Sequence, residues 1–217
     1  MYAGLDATLE RAGRQLDEIR TSLTRAIDGR LDQPIRDQVV ANTYVLLEAT
    51  LESSLKRTLS AMIDEINAAS IRVCDLRLSL FSLFANPIFE SIAAQGKSGS
   101  ILQRTNLLEA LESTAICLLS NDYLPMDGRT IRKRHLDLVW RVFGFPGTSL
   151  AEPRHQFTLE TAADARNDVA HGEATPSEVA GRQPPETVLR YVDEVEMIIL
   201  HVDRAAEDYL SSSGYKR

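Results

Sequence analysis

The chain has 217 residues, of which 25% are charged and 44% hydrophobic, and its formal net charge is −7. This balance excludes an intrinsically disordered chain, since such chains combine low hydrophobicity with high net charge. The negative charge repels nucleic acids at long range, although a local basic patch could still bind them. No uncharged apolar stretch reaches the roughly 18 residues of a transmembrane helix, so we expect a cytoplasmic protein with no membrane partner. Two isolated cysteines, Cys74 and Cys117, are predicted to be core thiols.

The chain begins with two long helical patterns. Apolar residues recur at steps of four and three over 5–26, which predicts a helix that ends at Asp28-Gly29. A second apolar stripe predicts a helix over 34–68, with Pro34 in its first turn. The short connection favours a helical hairpin within the chain, although the first seam could instead pack against a partner subunit.

Shorter helices are predicted in the remainder of the chain. Apolar periodicity and the breaks between patterns place them at 70–84, 88–94, 101–120, 129–143, 159–171 and 186–211. Core candidates of the third of these helices are Leu107, Leu108, Leu111, Ala115 and Leu118. Loops are predicted at 95–100 and 144–157, and a short helical turn at Thr175. We find no alternating strand pattern and no fixed repeat, so we predict an all-α helical bundle.

The breaks between these patterns also suggest a division into three parts. Residues 1–33 are predicted to form an N-terminal helix packed on the bundle. Residues 34–212 are predicted to form the helical domain itself. The serine- and glycine-containing segment 213–217 is expected to be a flexible tail.

Two sequence patterns resemble known ligand motifs only in part. The GlyLysSer tripeptide at 96–98 lacks the earlier glycine of a phosphate-binding loop, because Ser91 stands there, and a helix rather than a strand precedes it. Two Asp/Glu-x-x-His patterns end at His155 and His171, as in di-iron bundles. Pro153 interrupts the first pattern, and the histidines are too close in sequence for two antiparallel helices. We therefore expect no metal and no other cofactor.

The segment 129–141 is locally basic within an acidic chain. Arg129, Arg132 and Lys133 fall on one face of the predicted helix. Their side chains could hold phosphate groups. The alternative is a solvated face, or a set of partners for nearby acidic residues.

The most distinctive pattern is Arg166-Asn167 followed by His171 and Gly172, at the end of a predicted helix. Asn167 and His171 are four residues apart and share a face. Arg166 lies roughly 140° from His171 at about 100° per residue. Two copies meeting across a two-fold axis could bring these side chains together, so we predict a homodimer. The alternative is a surface arginine and a histidine that caps the helix.

The sequence ArgAsnAspValAlaHisGly at 166–172 resembles the Arg-Asn-x-x-x-His signature of HEPN domains, which are all-helical and include many metal-independent ribonucleases. Three further features are similar to the RiboL-PSP-type branch of that superfamily. They are LeuLeuGluAlaThrLeuGluSerSerLeuLys at 46–56, the helix and following loop at 131–146, and ValAspGluValGluMetIleIle at 192–199 in the last helix. The resemblance covers about 40–211, and its specific part is the short motif.

The resemblance implies an RNA substrate whose 2′-OH attacks the neighbouring phosphate, giving 2′,3′-cyclic phosphate and 5′-OH ends without a metal. His171 would transfer a proton, and Arg166 would stabilise charge on the phosphorane oxygens. Asn167 would position the phosphate or orient His171. Such an endonuclease would be a toxin or defence effector restrained by an antitoxin or another inhibitory partner.

Two other functions are left open by the sequence. One is a HEPN-like dimer without catalysis, which senses a nucleotide or docks a partner protein. The other is a structural helical adaptor that uses its long N-terminal seam for binding. The intact Arg166, Asn167 and His171 favour the ribonuclease over both.

Overall fold

The computed structural model describes residues 2–29, 31–126 and 130–217. Within these ranges the chain forms nine α-helices: α1 (Ala3–Ile27), α2 (Gln33–Ala68), α3 (Leu78–Phe84), α4 (Asn86–Ala94), α5 (Lys97–Ala110), α6 (Lys133–Phe143), α7 (Arg154–His171), α8 (Pro176–Ala180) and α9 (Pro185–Ser211). The same ranges hold isolated β-bridges but no strand. The predicted all-α bundle is confirmed.

The centre of the bundle is formed by α1, α2 and α9. Helix α2 packs against both of the others, and α1 also contacts α9. Steps of three and four residues keep the seam of α1 on one face, because an α-helix has about 3.6 residues per turn. The buried residues of this seam are Leu5, Thr8, Ala12, Leu16, Ile19, Leu23 and Ala26. The seam is therefore occupied by α2 and α9 rather than open to a partner subunit, and the predicted N-terminal hairpin is confirmed.

The region 70–120 differs from the prediction. Residues 70–77 do not form a helix but a short 3₁₀ turn, Val73–Asp75, flanked by extended backbone. The predicted helix 101–120 ends at Ala110, and the predicted loop 95–100 contains the first turn of α5. The reason is tertiary hydrogen bonding, which lies outside any local pattern. The side chain of Asn67 donates to the C=O of Leu119 at 2.9 Å and accepts from its N–H at 2.8 Å.

Helices α4 and α5 pack on each other and make few contacts with the rest of the described chain. We refer to 86–110 as the α4–α5 hairpin. The structure buries no residue of α4 and only Ser100 of α5. Two predicted core residues, Leu108 and Leu118, are 65% and 68% exposed. Ala115 is also exposed, and Leu107 and Leu111 are half-buried. The core prediction was therefore wrong for Leu108, Ala115 and Leu118, whereas Leu107 and Leu111 pack against the core while partly exposed.

The two cysteines are free thiols, and neither lies in an α-helix. Cys117 is buried among apolar side chains, and this burial raises the pKa of its thiol to about 11. Cys74 lies in the 3₁₀ turn and is only half-buried. The prediction of a core thiol thus holds for Cys117 alone.

The last residues of the chain do not form the flexible tail that the sequence predicted for 213–217. The backbone N–H of Arg77 donates to the C=O of Tyr215 at 2.8 Å, and the N–H of Arg217 donates to the C=O of Asp75 at 2.9 Å. The Tyr215 side chain is buried. These contacts hold the segment against the start of α3.

Helix α6 is fixed by its single tryptophan and by the glycine that ends it. The Trp140 ring stacks on His201 of α9 with ring centroids 5.2 Å apart, and its N–H donates to the C=O of Pro146 at 3.3 Å. Gly144 ends the helix with φ +69°, a conformation that favours glycine.

In the described residues, no helix has the length and hydrophobicity needed to cross a membrane.

Candidate functional site: a charged cleft at the end of α7

A cleft of about 890 Å³ opens between the start of α6, the C-terminal half of α7 and the segment after α8. Its walls carry charged and polar side chains. They are Thr130, Arg132, Arg134, Asp164, Arg166, Asn167, Asp168, His171, Glu173 and Arg182. All three residues of the predicted motif therefore face the same cleft.

Helix α7 ends at His171, as the sequence predicts. The helix covers 154–171 rather than the predicted 159–171, and Gly172 follows with φ +68°. Glycine adopts this left-handed conformation without steric strain, and the conformation turns the chain sharply after His171. The N–H of Glu173 then donates to the C=O of Asp168 at 2.9 Å, which closes the last turn. His171 is left exposed at the mouth of the cleft.

Arg166 and Asn167 are half-buried and linked to each other. The Nη1 of Arg166 donates to the Oδ1 of Asn167 at 3.2 Å, and the hydroxyl of Thr130 donates to the same oxygen at 2.8 Å. The amide is thereby held between α7 and the segment before α6. Because a phosphate oxygen accepts hydrogen bonds, Asn167 would meet it with Nδ2 rather than Oδ1.

Helical geometry alone separates Arg166 from His171, and this separation motivated the predicted homodimer. In the structure both side chains line one cleft of one chain. Arginine is long enough to reach around the helix, and His171 lies in the last turn. The two side chains therefore line one cleft within a single chain, and the homodimer stays a prediction.

The predicted basic face is only partly at the cleft. Arg132 lines it, but its guanidinium is bound by Glu160 and, at 2.6 Å, by Asp164. Hydrogen bonds to Asp164 and Glu160 raise the pKa of Arg132 above its ordinary value. These contacts match the alternative reading, in which the basic residues pair with nearby acids.

The other two residues of that face lie elsewhere. Lys133 pairs with Asp137 at 2.6 Å and lines a neighbouring pocket beside Trp140. Arg129 lies outside the described residues. Of the three predicted phosphate-binding residues, the described structure thus brings only Arg132 to the cleft.

Glu48, a buried carboxyl group of α2 close to the cleft, was not predicted as a site residue from the sequence. It is 4% exposed and accepts a hydrogen bond from the N–H of Ile131 at 3.0 Å. Burial raises the pKa of Glu48 to about 8, against the lowering effects of that hydrogen bond and of the charges on Arg166 and Arg132. The sequence signal for Glu48 was its position at the edge of the apolar stripe of α2. A glutamate at such a position is unusual, since unpaired glutamates are rarely buried.

Arg182 was also not identified from the sequence. It follows α8, and its Nη1 contacts the Oδ2 of Asp168 at 2.6 Å. Helix α8 packs on α2, with Val179 fully buried between them. The predicted turn at Thr175 caps this helix, because the Thr175 hydroxyl accepts from the Glu178 N–H at 3.3 Å. In return the Thr175 N–H donates to the Glu178 carboxylate at 2.7 Å.

The walls of the cleft carry a small surplus of positively charged side chains. Its walls carry four arginines and one histidine against three carboxylates, in a chain whose net charge is −7. Guanidinium groups bind phosphates through paired N–H donors, and histidine is the side chain best suited to proton transfer near neutral pH. Among the described residues, no group of three or more His, Cys, Asp or Glu side chains could hold a metal ion.

No protein-family model matches the chain, and no curated protein or solved structure matches it either.

Proposed function

We propose that the cleft is the active site of a metal-independent endoribonuclease of the HEPN type, acting as a toxin or defence effector. The observation that supports this most directly is that Arg166, Asn167 and His171 line one cleft. The walls of this cleft hold an exposed histidine and a half-buried arginine, and so offer a proton-transfer group and a positive charge within the same cleft. The surplus of arginines in the walls provides attraction for a polyanion despite the acidic chain.

In this mechanism the RNA 2′-oxygen bonds to the adjacent phosphorus, and the bond from phosphorus to the 5′-oxygen breaks. His171 either removes the proton of the 2′-hydroxyl or donates a proton to the departing 5′-oxygen. Water performs whichever of these two proton transfers His171 does not. Arg166 stabilises the extra negative charge of the phosphorane, which exists only in the transition state. Asn167 donates from its amide to hold the phosphate.

The test is cleavage of a mixed RNA pool by the purified protein, with analysis of the product ends. We expect 2′,3′-cyclic phosphate and 5′-OH ends, and no loss of activity in excess chelator. His171→Ala should reduce single-turnover cleavage by about 10²–10⁴-fold, the usual size of a proton-transfer contribution. Arg166→Ala should also act mainly on kcat, and both variants should bind RNA within a few-fold of the wild type.

A matched control is Arg154→Ala, at the opposite end of α7. Its guanidinium is exposed and pairs with Glu152 at 2.8 Å, outside the cleft. This variant should cleave at the wild-type rate. Wild-type cleavage by His171→Ala, or activity that requires a divalent ion, would rule out the proposed mechanism.

One observation favours the non-catalytic alternative, a HEPN-like dimer that binds a nucleotide or a partner. Two cleft arginines already have carboxylate partners, Arg132 with Glu160 and Asp164, and Arg182 with Asp168. A regulatory module could use such pairs to hold the cleft closed. Growth arrest on expression, relieved by His171→Ala, would support the toxin over this alternative.

Sedimentation at micromolar concentration tests the homodimer, and co-purification from the native host tests an inhibitory partner.

A further inference from the structure

Arg182 and Asp168 form an ion pair across the cleft. The contact joins Nη1 of Arg182 to Oδ2 of Asp168 at 2.6 Å, and the two side chains are 42% and 26% exposed. Asp168 belongs to the motif itself, one residue after Asn167. The pair therefore connects the reactive wall of the cleft to the segment after α8.

We propose that Arg182 is a second phosphate-binding residue of the RNA site, held by Asp168 until RNA enters. On binding, Arg182 leaves Asp168 and contacts a phosphate next to the one at Arg166 and His171. The identity of this ligand as RNA rests on the proposed function. The presence of a second anion subsite rests on the geometry of the cleft.

The pair has the properties of a contact that can exchange partners. Exposed ion pairs contribute little to stability because water and salt compete for both groups. Among the described residues, Asp168 is the one carboxylate within ion-pair distance of Arg182, and the contact uses one nitrogen. Arg132 is different, since its side chain is 23% exposed and is bound by both Glu160 and Asp164. Of these two paired arginines, Arg182 is the one that a phosphate can recruit at low cost.

The backbone that carries Arg182 is well anchored. Val179 is fully buried, and the Ser177 hydroxyl donates to Asp37 of α2 at 2.6 Å. The capping contacts between Thr175 and Glu178 close the preceding turn. Arg182 is thus offered to the cleft from a fixed point, so only its side chain has to move when a phosphate binds.

Asp168 then acts as an internal substitute for the phosphate. It satisfies the guanidinium in the absence of RNA and repels a polyanion that enters the cleft. Removing its charge should make Arg182 available and lower the repulsion. We therefore expect Asp168→Asn to bind RNA more tightly than the wild type. An increase in affinity on substitution of a residue in the binding cleft is unusual, and it distinguishes this arrangement from a simple structural ion pair.

The experiment measures binding of a single-stranded oligoribonucleotide with 2′-O-methyl groups, which lacks the nucleophile and is not cleaved by the proposed route. Salt titrations are compared for the wild type, Asp168→Asn, and Asp168→Asn with Arg182→Ala. Asp168→Asn should tighten binding several-fold. Adding Arg182→Ala should weaken it by about tenfold, as expected for one charge-assisted contact. It should also reduce the salt slope by about 0.7, the value for one phosphate contact on a single strand.

A matched control is the pair Arg72 and Asp75, which lies outside the cleft. Its contact distance is 2.7 Å, and its side chains are 54% and 45% exposed. Arg72→Ala in the Asp75→Asn background should leave both affinity and salt slope at the values of Asp75→Asn alone. This control separates a phosphate contact from the general loss of one positive charge.

The proposal is overturned if Arg182→Ala changes neither affinity nor salt slope in the Asp168→Asn background, because Arg182 would then only neutralise Asp168. An oligonucleotide that does not bind the wild type overturns it as well. Arg182-dependent binding without cleavage of unmodified RNA would support the second subsite and contradict the ribonuclease. Cleavage that depends on His171 but not on Arg182 would support the ribonuclease and contradict the second subsite.

Discussion

The three central helices and the α4–α5 hairpin are built from similar residue types but use them differently. In α1, α2 and α9 the apolar seams are buried, and the acidic side chains of Glu48 and Asp203 are buried with them. In the hairpin, Leu102 and Leu108 remain exposed, Leu107 is half-buried, and no apolar residue of α4 or α5 is fully buried. The difference shows that apolar periodicity predicts a helix, whereas burial depends on what packs against it.

The largest expected effect separates these two regions directly. Leu59→Ala in α2 removes a fully buried side chain and should cost about 2–5 kcal/mol of unfolding free energy, through lost burial and a residual cavity. Leu108→Ala makes the same chemical change where the side chain is 65% exposed, and should cost less than about 0.5 kcal/mol. Urea unfolding of both variants gives the comparison, and equal losses would contradict it.

The next effect concerns Glu48 and has a defined pH dependence. Its pKa is about 8 in the folded chain, above the ordinary value of 4.5. The folded state therefore holds the proton more tightly, and the resulting stability is complete below pH 4.5 and is lost as the pH rises through 8. Glu48→Gln keeps an acceptor for the Ile131 N–H without a charge. Relative to the wild type, it should gain on the order of 3 kcal/mol between pH 5 and 9.

Chemical unfolding of wild type and Glu48→Gln across this pH range tests the prediction. Subtracting the two curves removes the contribution of every other titrating group. A difference that does not change with pH would contradict a raised pKa at Glu48. Glu109→Gln in the exposed face of α5 is the matched control and should show no such trend.

A smaller effect is expected at Asp203, where α9 faces α1. The side chain is 6% exposed, and its Oδ1 has no hydrogen-bond partner. Burial, with the neighbouring charges of Glu207 and Asp6, raises the pKa of Asp203 to about 6. Its favourable contribution is complete below pH 3.8 and is lost as the pH rises through 6.

Asp203→Asn should therefore stabilise the chain by about 1–2 kcal/mol at pH 8 and have little effect near pH 4. Thermal unfolding at the two pH values is a sufficient measurement. Asp208→Asn on the same helix, where the side chain is exposed, is a control for general changes in net charge. A loss of stability in Asp203→Asn at pH 8 would show that the buried carboxylate has a partner that compensates its burial.

The smallest effect is expected on the exposed face of the α4–α5 hairpin. Leu102 is 60% exposed, so Leu102→Gln should change the unfolding free energy by no more than about 0.5 kcal/mol. The measurement should be made at two protein concentrations. A loss above 1 kcal/mol that appears only at the higher concentration would show that another copy covers this face, and would alter the comparison between the two regions.

Long, regular helices were predicted well from the sequence. The predicted bounds 34–68 and 186–211 compare with 33–68 and 185–211 for α2 and α9. Many turns of consistent periodicity, together with prolines at the starts, leave little choice of boundary. The end of α7 was also correct, because Gly172 is suited to the left-handed conformation that follows a helix.

Other features depend on residues distant in sequence and could not be predicted from local patterns. The extended backbone after Ala110 is held by Asn67, and the C-terminal segment is held by the backbone around Arg77. In the cleft, Arg166, Asn167 and His171 were identifiable because they form a short motif. Glu48 reaches the same region from α2 and Arg182 from the segment after α8, so only the tertiary structure relates them to it.

The stacking of Trp140 on His201 gives the protein an intrinsic optical reporter. The chain contains one tryptophan, and its ring is 6% exposed, so the whole indole signal comes from the contact between α6 and α9. Helix α6 begins immediately after Arg132 at the wall of the cleft. A change in emission wavelength on adding an oligonucleotide would therefore report movement of that wall, without a label and without any substitution in the chain.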